Sequence, residues 1–167
     1  SWLNRMTKRY FKRLMLFCCN IVLFSFFLSP LSYGQQLSIS DEQCTAATEF
    51  SEFTIAIENA PNAVESLGLE IQYDTTVLRY VSVESGSVIE DWFVMEGAAI
   101  DGGARIGATH TERFSDGISG TLFKVTFEVL RCGPTTLQIA NSADDIALWT
   151  VGSGELSIDQ TADSDND

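Results

Sequence analysis

The chain has 167 residues, 45% of them hydrophobic, with 23 acidic and ten basic side chains and a net charge of −13. Five of the ten basic residues lie within the first 34 positions and all 23 acids follow them, so the remainder carries −18. A surface of this sign repels nucleic acid and anionic membranes, which excludes nucleic-acid binding as the function.

Residues 1–34 are predicted to be a secretory signal peptide. A basic cluster at 8–13 precedes the apolar run 14–28, and small residues lie just before Gln35, which is the usual order of a signal sequence. The apolar run is about 15 residues long, whereas a bilayer span takes about 20, so a retained anchor is not favoured. We therefore expect a secreted protein, extracellular or at the cell surface, with no membrane span after cleavage.

Alternating apolar residues from Gln35 onward predict an all-β domain over 35–158. Turn residues recur about every ten positions, and Asp101-Gly102-Gly103 is a hairpin signal. Eight or nine short strands of this kind predict a two-sheet antiparallel β-sandwich, jelly-roll-like. Segment 141–154 is expected to form a one-turn helix or a loop over the end of the core. The predicted strands are 53–57, 67–73, 78–83, 92–96, 105–111, 121–130, 135–139 and 155–158.

Two cysteines remain once Cys18 and Cys19 leave with the signal peptide. Cys44 and Cys132 form a single pair in an oxidising compartment, which predicts a disulfide. A metal site or reactive thiol is not favoured, because the two cysteines lie far apart and the chain has one histidine.

The tail 159–167 is acidic, and two interpretations stay open. It is either a linker or the start of a truncated calcium-loop segment, because Asp163, Asp165 and Asp167 match the first positions of such a loop. The chain begins at Ser1, ahead of Met6, and ends inside this segment, so we expect both ends to be edges of a longer reading frame. No cofactor is predicted for the domain. Calcium is expected only at this tail or on a protein that binds the domain.

Three segments of the predicted domain carry a recognisable pattern, and they are 66–86, 102–107 and 120–129. The first alternates apolar residues up to Tyr73-Asp74, where Asp74 is expected to cap the turn that follows. In their order and spacing the three segments together resemble the cohesin family, over about residues 50–158. The resemblance implies a non-catalytic module that binds a dockerin, a paired calcium-loop module, in complexes linked to polysaccharide catabolism.

The resemblance also implies that one outer sheet face binds the partner. Residues predicted to point outward there form a flat patch of small side chains, which suits docking of a helix. An ordinary solvated sheet face is the alternative, and no strong match occurs at the positions that fix dockerin type. The predicted partner-binding residues are Ser66, Gly68, Glu70, Gln72, Arg105, Gly107, Thr109 and Thr111.

Three other functions are weaker predictions. Catalysis is not favoured: His110 lies near Ser115 and Asp116 without a nucleophile-elbow motif, and Glu90-Asp91 lies on a turn in a small domain. Direct polysaccharide binding is the runner-up, and a structural spacer or adhesion domain is the third option. A coplanar row of exposed aromatic residues would favour sugar binding, and the candidates are Trp92, Phe93, Trp149 and Tyr80.

Overall fold

The computed structural model describes residues 36–163, so the predicted signal peptide and the last four residues of the tail lie outside it. Within this range no helix combines the length and the apolar composition needed to cross a bilayer. The elements are β1 (Leu37–Ile39), β2 (Glu42–Cys44), β3 (Phe50–Ile57), β4 (Val64–Gln72), β5 (Leu78–Ser85), β6 (Phe93–Ile100), β7 (Gly103–Phe114), β8 (Gly120–Val129), β9 (Thr135–Asp144), β10 (Ser153–Ile158) and the 3-10 helix Gln160–Asp163.

The strands form two sheets, which confirms the predicted β-sandwich. One sheet has the order β1-β3-β8-β5 and the other the order β2-β10-β9-β4-β7-β6. All pairings are antiparallel except that of β2 with β10. The sequence missed β1 and β2, because three residues are too few to display an alternating pattern.

The core lies between the sheets and is built from the inward-facing residues of both. Phe127 of β8 is its aromatic centre, with ring centroids 5.7 Å from Phe53, 4.9 Å from Tyr73 and 6.2 Å from Tyr80, all in edge-to-face geometry. The opposite sheet contributes a buried aliphatic layer, and its inward residues include Leu67, Leu69, Ile71 and Ile106. This layer fixes which side chains of β4 and β7 face outward.

A loop follows β9 and covers one end of the core. Of the two structures predicted for this segment, a one-turn helix or a loop, the loop is the one that forms. Ile146 and Trp149 are buried, and the indole Nε1 of Trp149 donates to Oδ1 of Asn62 at 2.8 Å. Strand β9 is longer than predicted and continues to Asp144. The loop therefore starts at the edge of the outer face that carries the predicted site.

Two local predictions from the sequence are confirmed. Cys44, at the end of β2, forms a disulfide with Cys132 in the β8–β9 connection, with a Cα–Cα distance of 5.6 Å. Asp74 accepts hydrogen bonds from the hydroxyl and the backbone N–H of Thr76, and these bonds lower the pKa of its carboxyl group. The disulfide ties an edge strand of the six-stranded sheet to the point where the chain crosses between the sheets.

Candidate functional site

The outer face of β9, β4, β7 and β6 is arranged in rungs that cross the strands. Strand pairing sets these rungs, because residues two apart on a strand point to the same side. Each rung is given in the order β9, β4, β7, β6, and the first rung has no residue from β9. The four rungs are Ser66–Thr109–Phe93, Ala143–Gly68–Gly107–Met95, Asn141–Glu70–Arg105–Ala98 and Gln138–Gln72–Gly103–Ile100. Seven of the eight predicted site residues therefore lie side by side on one surface.

The second rung has backbone as its floor. Gly68 and Gly107 face each other across β4 and β7, and neither has a side chain to cover the strand beneath. A Cβ built on Gly68 would lie 3.5 Å from Cβ of Ala143, whereas one on Gly107 would lie 2.5 Å from Cε of Met95. Met95 thus lies over Gly107, which is buried rather than exposed. We call the channel floored by Gly68 and Gly107, with Met95 and Ala143 at its ends, the glycine trough.

An ion pair forms one long side of the glycine trough. Arg105 and Glu70 face each other on the third rung, and Nε of Arg105 donates to Oε1 of Glu70 at 2.9 Å. The arginine is largely exposed, so the pair adds at most about 1 kcal/mol to stability. The pair holds both side chains in place and neutralises them.

The other long side is the first rung, which is polar at β4 and aromatic at β6. Phe93 is 69% exposed, and Met95, two residues on, is 49% exposed. At the opposite end, Oδ2 of Asp144 accepts from the hydroxyl of Ser66 at 3.1 Å and would lie 3.9 Å from a Cβ on Gly68. Asp144 has φ of 61°, a left-handed backbone that few residues other than glycine adopt.

Asp145 fixes the β9 end of the site. Its Oδ2 accepts the backbone N–H groups of Glu65 at 2.8 Å and Ser66 at 3.1 Å. These bonds lower the pKa of its carboxyl group. The start of β4 is thereby anchored next to Asp144.

Thr111, the eighth predicted residue, lies on the rim of the patch instead of within it. The β4–β7 ladder steps from Ser66↔Thr109 to Val64↔Phe114, so residues 110–113 bulge out opposite a single residue of β4. His110 braces this bulge, because its ring stacks on Trp92 at 6.0 Å and its Nδ1 accepts the N–H of Glu112 at 3.0 Å. The alternation of apolar residues predicts that Thr111 lies on the flat face, because a bulge of this size leaves no sign in that pattern.

The outer face of the four-stranded sheet has a different character. Its central positions carry the ion pairs Arg79–Glu128 and Lys124–Glu52, and it has no glycine-floored rung. It does carry one exposed aromatic residue, Phe50, which is 57% exposed. The two faces therefore offer matched residues for comparison.

The four aromatic candidates do not form a sugar platform, and the histidine considered for catalysis is held by neighbouring groups. His110 is half-buried and is engaged by Trp92 and Glu112. Trp149 is buried and Tyr80 packs on Phe127, so Phe93 is the one aromatic of the four that is well exposed. A flat row of aromatic rings is thus not formed by these four residues.

Comparison with known proteins agrees with this architecture. The family model described as "Cohesin domain" matches residues 36–165. A search of curated proteins gave no match. A non-cellulosomal cohesin from the archaeon Archaeoglobus fulgidus is 18% identical at a TM-score of 0.59, covering 76% of this chain and 92% of its own.

Two further solved structures resemble the chain to a similar degree. The cohesin–dockerin complex Coh-OlpA–Doc918 from Clostridium thermocellum matches at 15% identity and a TM-score of 0.59, covering 74% of this chain and 98% of its own. A type III cohesin of the ScaE cell-surface anchoring scaffoldin of Ruminococcus flavefaciens matches at 17% and 0.58, covering 77% and 89%. At these identities the structural likeness establishes the fold alone.

Proposed function

Since this chain belongs to the cohesin domain family, we propose that it is a non-catalytic recognition module that binds a dockerin-type protein through the outer face of β9, β4, β7 and β6. The observation that carries the proposal is the glycine trough on that face. A surface of small side chains lets a partner helix approach the sheet backbone closely.

The dimensions of the glycine trough suit a helix. Its two long sides, at Ser66 and Glu70, lie four residues apart on β4, which is about 14 Å at 3.4 Å per residue. An α-helix with its side chains is about 10–12 Å wide. The trough spans four strands, and the large side chain that covers part of its floor, Met95 at the β6 end, is flexible enough for a helix lying across the strands to displace it.

Export and a role in polysaccharide breakdown belong to the same proposal. Export is supported by the signal-peptide pattern in residues 1–34 and by the Cys44–Cys132 disulfide, which suits an oxidising compartment. The link to polysaccharide breakdown follows only from family membership and from relatives such as the Ruminococcus flavefaciens cell-surface scaffoldin module.

The test is a calorimetric titration of the mature chain, beginning at Gln35, with each dockerin module encoded by the source organism. Titrations are run in calcium and again in EDTA, which should unfold the calcium loops of a dockerin and abolish binding. The double variant Glu70→Gln/Arg105→Gln should bind roughly tenfold more weakly, because it alters one side of the trough. The matched control, Arg79→Gln/Glu128→Gln on the other sheet, should bind like the wild type.

Failure of every dockerin module to bind would contradict the proposed function. Retention of the same protein on insoluble cellulose or xylan would then favour direct sugar binding, for which no exposed aromatic row is present among the four candidates.

A further inference from the structure

We propose that the glycine trough selects a partner helix by two features, an apolar side chain seated against Met95 and Phe93 and a lysine or arginine about two turns away that reaches Asp144. This inference rests on the proposed function and specifies the partner that the face accepts.

The apolar end is formed by two neighbours on β6. Phe93 and Met95 are both strongly exposed and point to the same side of the strand. Methionine is flexible and adapts to irregular shapes, and an exposed aromatic side chain at a binding surface is a common anchor. Met95 rests on Gly107 through its terminal methyl group, so an incoming side chain can displace it without moving the backbone.

The acidic end is formed by Asp144. Its carboxylate borders the trough floor at Gly68 and is held by the hydroxyl of Ser66. Between residues 36 and 163 no lysine or arginine forms an ion pair with it. The backbone at this position is left-handed, a conformation that aspartate and asparagine tolerate better than most residues.

The distance between the two ends sets the spacing on the partner. Met95 lies on β6 and Gly68, beside Asp144, on β4, two strands away, which is about 9.6 Å. Seven residues of an α-helix rise about 10.5 Å and return to nearly the same side of the helix. The partner helix should therefore carry its apolar residue and its cation seven positions apart.

The charge balance of the chain favours a basic partner over a second copy of itself. Residues 36–163 contain five basic side chains against 21 acidic ones, and four of those five basic residues already pair with an acid. A second copy would bring the same negative surface, and within residues 36–163 Arg131 is its one basic side chain outside these ion pairs. A helix with its own lysine or arginine removes this repulsion.

Three substitutions in the full mature chain test the proposal, each with a matched control elsewhere. Asp144→Asn removes the charge but keeps a residue that tolerates a left-handed backbone, and Glu84→Gln on β5 is its control. Phe93→Ser removes the aromatic anchor, with Phe50→Ser on β3 as control. Gly68→Ala raises the floor by a methyl group at an ordinary contact distance, and Gly133→Ala, in open space, is its control.

The probe is the dockerin module that binds most tightly in calcium, and its Kd is measured by calorimetry. We expect Asp144→Asn to weaken binding roughly five- to tenfold, Phe93→Ser at least roughly tenfold and Gly68→Ala roughly tenfold, with the controls unchanged. Thermal unfolding of each variant shows that the loss is not due to misfolding. Binding of the wild type should also weaken with added NaCl more steeply than that of Asp144→Asn.

A double-mutant cycle identifies the cation. Asp144→Asn is combined with replacement of each lysine or arginine of the dockerin helices by glutamine, and coupling should appear at the one that lies seven residues from the apolar anchor. Wild-type affinity in any of the three variants would overturn the trough proposal, and the proposed function would stand if the Glu70/Arg105 variant still weakened binding. Absence of binding to any dockerin would overturn both.

Discussion

Reduction of the Cys44–Cys132 disulfide should lower the stability of the domain by several kcal/mol. The bond joins residues 88 positions apart, and the chain-entropy relation for a loop of that length gives about 4.6 kcal/mol as an upper value. Cys44 is fully buried and ends β2, which is only three residues long, so this edge strand depends on the bond for its position. We expect a measured loss of about 3–4 kcal/mol.

Urea unfolding of the oxidised and the reduced mature chain measures this loss. With an m-value of about 2 kcal/mol per molar, the midpoint should fall by about 2 M, and reoxidation should restore it. Partner affinity should not change while the reduced protein stays folded, because β2 is separated from β9 by β10 and lies away from the trough. A midpoint shift below about 0.5 M would refute the argument that this bond constrains the unfolded chain.

Three further predictions concern stability. Phe127→Ala removes the ring that three other aromatics contact and should cost about 3–5 kcal/mol in urea unfolding, whereas Phe50→Ala on the outer face should cost less than about 0.5 kcal/mol. The pKa values of Asp74, Asp145 and Asp159 are lowered by hydrogen bonds to their carboxylates, so the stability they add is present above the unfolded value of about 3.9 and is lost as pH falls through the lower folded pKa values. Below pH 4, the Tm of Asp145→Asn should fall less steeply with decreasing pH than the Tm of the wild type. Equal slopes of Tm against pH would contradict this. Addition of 1 M NaCl at pH 7 should raise the Tm of the mature chain, because salt screens the repulsion among residues 35–167, whose net charge is −18, and an unchanged or lower Tm would speak against that repulsion.

The sandwich and its outward residues could be predicted because alternation reports directly on which side of a strand is buried. Leu67, Leu69 and Ile71 mark the inner side of β4, so Gly68 and Glu70 had to face outward. The disulfide followed from the presence of two cysteines in an exported domain.

The features that give the site its shape could not be predicted, because they depend on register. The ladder between β6 and β7 shifts between Met95 and Ala98, and only this shift shows which residues of β6 face the trough. The cover that Met95 forms over Gly107 and the approach of Asp144 to Gly68 are contacts between strands that are distant in sequence. The sequence indicates Phe93 only as a candidate for sugar stacking, because it does not reveal the position of this residue at the end of the first rung.

The central claim is that the partner binds the outer face of β9, β4, β7 and β6, and methyl NMR tests it most directly. The isotope-labelled mature chain is titrated with a dockerin module in calcium, and the methyl signals of each sheet are followed. We predict that the signals of Met95, Ala98 and Ala143 shift or broaden, while those of Ala56 and Val81 on the other sheet stay unchanged. Shifts confined to Ala56 and Val81, or no shifts at all, would contradict it.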